Sequence, residues 1–365
     1  MADLLSGLWS GAPARPALRP RDWELLLGQA RRAGLLARLA LRLEAADGGL
    51  AALPEAPARL LRASLAIVER QRHEVLAELA QLRRALRGLD GPVVLLKGAA
   101  YQLAGLPPAR GRLFSDVDLL VERSHLLRAE GLLFAAGWIS QERDAYNQRY
   151  YRQWMHEIPP LEHVQRHSVV DLHHTIAPPT SRFRIDAAKL FERIRPIGAS
   201  GFHMLAPEDM VLHSAAHLYQ EGEFDRGLRD LLDLDDLLEH FGREPGFWPG
   251  LLARAAELGL GEPLFLLLDQ RCRLFGRRPP ADCTPALAAL RPGPLRRWAL
   301  GRLLRLALRP HHPSCDDAAS RAARWLLYVR SHRLRMPLHL LLPHLLRKAY
   351  MSRFPAVAAL PQPPA

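Results

Sequence analysis

The sequence predicts a mostly helical α+β protein, with a small mixed-sheet core flanked by N-terminal helices and a C-terminal helical domain. Three observations predict it. Apolar residues recur at three-to-four spacing over the first ninety positions and again from about Pro207. Between those regions lie short apolar runs with strand character. With 365 residues, 48% apolar and 24% charged, the chain has a globular composition and ample length for a core.

The elements follow in order. PRDWELLLGQARRAGLLARLALRLEAA has helical period, with Pro20 at its start. PARLLRASLAIVERQRHEVLAELAQLRRALRGL continues that period for many turns and is expected to end at Gly88 as a C-cap. GPVVLLKG (91–98) reads as a buried strand, AAYQLAGL as a short helix, PPARGR as a loop and LFSDVDLLVE (113–122) as a second strand. SHLLRAEGLLFAAG is a helix, with Ser124 as N-cap and Gly137 just past its end. Residues 155–165 and 168–176, joined by a tight turn, form a hairpin, and FRIDAAKLFERIRPI adds a helix. Amphipathic helices then run to about residue 350. The expected organisation is an N-terminal helical region (1–90), an α/β core (91–200), a C-terminal helical domain (201–352) and a flexible tail (353–365).

The net charge of +12 attracts phosphates, nucleic acid or an anionic membrane surface. Arginine supplies nearly all of it, as a GC-rich coding bias also would. No dense basic run with interleaved aromatics marks a nucleic-acid site. Lysine is confined to Lys97, Lys189 and Lys348. Cys272, Cys283 and Cys315 match no zinc spacing and are expected to be reduced thiols in a cytoplasmic protein. The N-terminus lacks the basic region and long apolar run of a secretory leader. MPLHLLLPHLLRKAY is too short and too broken to span a bilayer. It is expected to pack on the core, with contact to a membrane surface through the basic C-terminal helices as the alternative.

Two acids stand out in LFSDVDLLVE. Side chains alternate along a strand, so Asp116 and Asp118 project together while Val117, Leu119 and Val121 face the other way. Carboxylates this close repel unless a cation lies between them. Mg²⁺ is the natural candidate, with oxygen ligands drawn from carboxylates and a substrate's phosphates. In SVVDLHH, Asp171 offers a third acid if its strand packs beside the first, and three carboxylates suit a two-metal site. A phosphate grip would come from LLKG: Gly98 for close backbone approach, Lys97 for charge and the following helix start for free N–H groups. Arg112 is placed to pair with a carboxylate or a phosphate.

Other residues carry weaker signals. His173 shares the face of Asp171, and His174 does not. His213 and His217, four apart on one helix, are expected to pack or cap rather than bind metal. Asp230 and Asp233 are expected on a solvated face, and Arg226 and Arg229 near a phosphate.

LLKGAAY, RLFSDVDLLV, VVDLHH and EDMVLHSAAHLYQ followed by LRDLLDLDDLL together resemble the DNA polymerase β-like nucleotidyltransferase superfamily, and within it a bacterial nucleotidyltransferase family. The resemblance covers roughly residues 20–350, and its specific part is 94–175. It implies a nucleotidyltransferase core that moves an NMP group from an NTP, ATP among them, to a hydroxyl of an acceptor. It further implies Mg²⁺ or Mn²⁺ on Asp116 and Asp118, with Asp171 as third ligand or as base. The superfamily's usual Gly-Ser or Gly-Gly loop is here Lys97-Gly98-Ala99, a departure that bears on triphosphate binding.

Three readings compete. The first is an enzyme acting on a small molecule, RNA or protein. The second is a catalytically inactive nucleotide-binding or scaffold module. The third is a toxin-like tRNA nucleotidyltransferase.

Overall fold

A computed structural model describes residues 3–353 apart from Arg15 and Glu221. The expected tail, 353–365, lies outside the described residues except for Arg353.

Helices α1 (Pro20–Arg32), α2 (Leu36–Glu44) and α3 (Glu55–Ala85) open the chain. The helical stretch expected from Pro20 is broken where Gly34 takes φ +68°, a left-handed value that a residue without Cβ adopts readily. Helix α3 runs for 31 residues and then tightens into a 3-10 turn, Leu86–Gly88. Gly88 therefore sits inside that turn rather than capping the α-helix.

The sheet region follows: β1 (Val94–Leu95), α4 (Lys97–Leu103), β2 (Asp116–Leu120), α5 (Leu126–Ala135), β3 (Trp138–Ser140), α6 (Ala145–Trp154), β4 (Leu161–His163), β5 (Val169–His173), α7 (Ala188–Phe191), β6 (Arg195–Pro196) and β7 (His203–Met204). The strand order is β3-β4-β5-β2-β1-β7-β6. The β2–β5 and β1–β7 pairs are parallel and the other pairs antiparallel, which makes the sheet mixed. The hairpin expected around residue 166 is present, with its second strand against β2, and His167 turns it at φ +56°.

Two local expectations are corrected. Ser124 does not cap α5: it lies in a 3-10 turn, Arg123–His125, and its hydroxyl reaches Glu122 at 3.5 Å. The helix expected over 183–197 shrinks to the single turn of α7, and Arg195–Pro196 joins the sheet instead.

Eight helices complete the described chain: α8 (Pro207–Gln220), α9 (Gly227–Phe241), α10 (Phe247–Glu257), α11 (Gly261–Phe275), α12 (Thr284–Ala289), α13 (Pro294–Ala307), α14 (Ala318–Arg335) and α15 (Leu338–Arg353). Buried ion pairs cross-link them. Arg254 of α10 meets Asp209 of α8 at 2.6 Å, and Arg271 of α11 meets Asp235 of α9 at 2.6 Å. The three cysteines are free thiols. Among the described residues no helix is long and apolar enough to cross a membrane.

The two faces of the sheet bury different partners, and this positions the acids. Val117, Leu119 and Val121 join Val170 and Leu172 in a core with Leu79 and Leu82 of α3 and Leu133 of α5. Leu120, which shares its face with Asp116 and Asp118, belongs instead to the larger core built from α1, α2 and α8–α11. The carboxylates of β2 and β5 therefore project toward the side of the C-terminal helices.

Candidate active site

Strand β2 lies parallel to β5 with Asp118 and Asp171 as register partners. Direct partners on neighbouring strands project to the same side, with backbones about 4.8 Å apart. Asp116 lies two residues earlier on that face, exposed at the strand's start, while Asp118 is only 8% exposed. The structure thus brings the three sequence-nominated acids onto one patch of sheet.

Their electrostatics differ. Burial alone would raise the Asp118 carboxyl, but the Lys97 ammonium and the His173 ring override it and hold it well below the usual carboxylate range. Lys97 Nζ stands 3.6 Å and His173 Nε2 3.1 Å from Asp118 Oδ1. Asp171 is pushed up to about 7, first by burial and then by the neighbouring Glu157, Asp118 and Asp116 carboxylates. Its Oδ1 is buried and has no hydrogen-bond partner. A buried carboxylate oxygen left unpaired among like charges fits a site that takes a cation.

Sequence reasoning missed Glu157. It reaches the site through an isolated bridge to His173, outside the named strands. Its Oε2 lies 3.5 Å from His173 Nε2 and 3.7 Å from His156 Nε2. His156, Glu157 and His173 are the one group of three such residues among those described whose donor atoms all lie within 4.8 Å of one another. The carboxylate oxygens of Asp116, Asp118 and Asp171 do not all lie within that distance of one another. Their oxygen-only donor set suits Mg²⁺ or Mn²⁺, whereas the two imidazoles and one carboxylate suit a softer divalent ion. His173 belongs to both groups. Its own burial would lower its pKa, but the hydrogen bond to Asp118 and the Glu157 charge raise it. His174 points away and is lowered to about 4 by burial and by Arg123.

The Lys-Gly segment has two local causes. Lys97 opens α4 at φ +42°, a left-handed value uncommon for a residue with a Cβ, and this places its ammonium near Asp118. Gly98 is buried against an aromatic ring, where an added Cβ would meet Phe114 Cδ1 at 2.4 Å. That contact supplies a packing reason for the glycine.

Arg112 pairs with carboxylates. It binds Asp233 closely and lies 4.0 Å from Asp230, both on α9, with its guanidinium 5.5 Å over the Phe114 ring. Burial and the nearby Arg229 lower it to about 10. The solvated face expected for Asp230 and Asp233 is thereby overturned. Asp233 is 3% exposed and also bonds Arg38 Nη1 at 2.7 Å. Asp230 meets Arg229 at 2.6 Å and is held low by Arg229 and Arg112 against the opposing effect of burial. Arg229 is thus engaged with a carboxylate, while Arg226 is exposed at the start of α9. A small cavity of about 50 Å³ lies among Lys97, Arg112, His217, Asp230 and Asp233. His213, one turn before His217 on α8, is packed in the core and lowered by burial and by Lys97. Asp116 borders a separate groove of about 600 Å³ between α3 and the hairpin turn.

The model of a family described as uncharacterised nucleotidyltransferase matches residues 19–276. The comparisons with curated proteins and with solved structures returned no match.

Proposed function

The chain belongs to this family of uncharacterised nucleotidyltransferases, and on that premise we propose that it moves an NMP group from an NTP to a hydroxyl of an acceptor. In this reading Asp116, Asp118 and Asp171 hold Mg²⁺ or Mn²⁺. The observation that carries it is the Asp118–Asp171 register pair, with its orphaned Asp171 oxygen. When bound, the divalent ion offsets negative charge on the triphosphate and on the oxygens of the displacement.

The protein's own groups divide the remaining work. Asp118, kept ionised by Lys97 and His173, is the permanent anionic ligand. Asp171, poised near neutrality, either completes the ligand set or takes the proton of the acceptor hydroxyl. In the second role the acceptor oxygen bonds to the α-phosphorus, the bond to the β-phosphate bridge breaks, pyrophosphate leaves and the proton passes to Asp171. Lys97 balances Asp118 before nucleotide binds and is close enough to meet a phosphate afterwards. The acceptor is a small molecule, RNA or protein, and the setting implied by the resemblance is the bacterial cytoplasm.

One observation favours the second reading, nucleotide binding without turnover. The space beside Lys97 and Arg112 is about 50 Å³, far below what a triphosphate fills. A triphosphate seated in that space would need α8 and α9, which line it through His217, Asp230 and Asp233, to move away from the sheet. Incubation with α-labelled NTPs, Mg²⁺ or Mn²⁺ and a cell lysate separates the two. A labelled acceptor with pyrophosphate release, both lost in Asp118→Ala, establishes transfer. Mg²⁺-dependent ATP binding with no pyrophosphate under any of these conditions establishes the binding module.

A further inference from the structure

The chain's whole net charge resides in one segment. Residues 291–353 hold 14 lysines and arginines against two acids, a balance of +12, while the rest of the chain holds 36 residues of each sign. The segment is α13, α14 and α15 with their connections, so an electrically neutral body carries a strongly cationic three-helix layer.

That layer is also greasy on its outside. On α13, Leu295 and Trp298 are 77% and 62% exposed, with Arg302 continuing the same stripe and stacking on Trp298 at 5.7 Å. On α14, Trp325 is 64% exposed and Val329 and Arg333 follow at helical spacing. On α15, Leu338, Leu342 and Leu346 form a third exposed stripe. The inner faces of α13 and α14, through Leu300, Leu304 and Leu327, are the ones that join the core. Exposed leucine and tryptophan cost free energy in water, and three successive helices with such stripes mark a surface that is covered in use.

Charge and residue type select the occupant. A second copy of this layer would set +12 against +12. RNA would be drawn by the arginines and would stack on the tryptophans, but it offers the leucines nothing. An anionic bilayer answers all three: headgroups for arginine, the interfacial zone for tryptophan and hydrocarbon for leucine. The helices are not built to cross it. We propose that α13–α15 are a docking surface for an anionic membrane, on which the protein lies peripherally. This assignment is independent of the nucleotidyl-transfer reading.

Co-sedimentation of the purified full chain with vesicles tests it, using phosphatidylcholine alone and phosphatidylcholine mixed with phosphatidylglycerol. The expected result is binding to the anionic vesicles alone, falling as salt is raised, with a blue shift of tryptophan emission. Arg302→Glu with Arg333→Glu, both exposed, should weaken partition about fivefold for each positive charge removed. Trp298→Ser with Trp325→Ser should abolish most of the emission shift and weaken binding at every salt concentration. Equal affinity for both vesicle types, or none for either, overturns the proposal. So does tight RNA binding without vesicle binding, or a salt-resistant dimer that hides the two tryptophans from a quencher.

Discussion

Asp118 and Asp171 are Cα partners across the parallel β2–β5 ladder, yet their carboxyls occupy opposite protonation regimes. Lys97 and His173 keep the first ionised. Burial among Glu157, Asp118 and Asp116 lifts the second to about 7. Paired carboxyls with their pKa values driven apart give a site both a fixed anion and a titrating group.

The fixed anion is the more demanding of the two. Asp118→Asn should lower nucleotidyl transfer by more than about 100-fold, since loss of a direct ligand exceeds the 10–100-fold cost of losing a supporting partner. Circular dichroism should remain native. Transfer within tenfold of wild type would remove Asp118 from the metal site.

His173 acts on Asp118 rather than on substrate. His173→Gln should weaken Mn²⁺ binding by about 10–100-fold, read by electron paramagnetic resonance, because the Asp118 carboxylate loses its anchor at 3.1 Å. A purely structural role would lower the melting temperature and leave Mn²⁺ affinity in the folded protein unchanged.

Asp171 sets a pH dependence with a defined sign. Its carboxyl is raised by folding, so the folded chain holds this proton more tightly than the unfolded chain does. The stabilising contribution is full below about 4 and is lost as pH rises through about 7. In EDTA, wild type should lose on the order of 4 kcal/mol between those limits relative to Asp171→Asn, measured by urea unfolding. Added Mg²⁺ should narrow that gap at pH 8, and identical pH profiles in EDTA would contradict the placement of Asp171.

Gly98 separates packing from ligand approach. Gly98→Ala should destabilise by about 1–3 kcal/mol, because its methyl meets the Phe114 ring at 2.4 Å. Phe114→Leu in the same chain should restore much of the loss. A Gly98→Ala protein of native stability that no longer binds NTP would instead assign the glycine to the phosphates.

Arg112 is a buried counter-ion for α9. Arg112→Met leaves Asp233 and Asp230 short of positive charge and should cost about 3–5 kcal/mol in denaturant unfolding. Asp233→Asn in the same protein should recover part of it. A loss below about 1 kcal/mol would mean that Arg38 and Arg229 suffice.

Much of the sheet was legible because alternation carries its own geometry. Asp116, Val117 and Asp118 announce a two-faced strand, and an apolar run around Asp171 announces another. Their parallel register was not legible, since nothing in a local pattern fixes which strands become neighbours. Glu157 was missed for a related reason: it joins through a single bridge, without a run of alternating residues to signal it. Asp230 and Asp233 misled because a charged pair at helical spacing looks the same whether water or buried arginine faces it. Arg38, which settles the matter for Asp233, lies 195 residues away. The C-terminal helices were legible as basic, but not as the seat of the whole net charge, because that charge is spread over residues 291–353 at helical spacing rather than gathered into a run.

The parallel register also governs how this protein can vary. Asp118 and Asp171 are held by hydrogen bonds between neighbouring strands, so their spacing does not depend on the length of chain connecting them. That connection holds α5, β3, α6 and β4. Segments inserted into or deleted from its loops would leave the distance between the two carboxyls unchanged. The loops between 121 and 168, apart from the segment that carries His156 and Glu157, are therefore where the molecule can be remodelled while Asp118 and Asp171 stay in place.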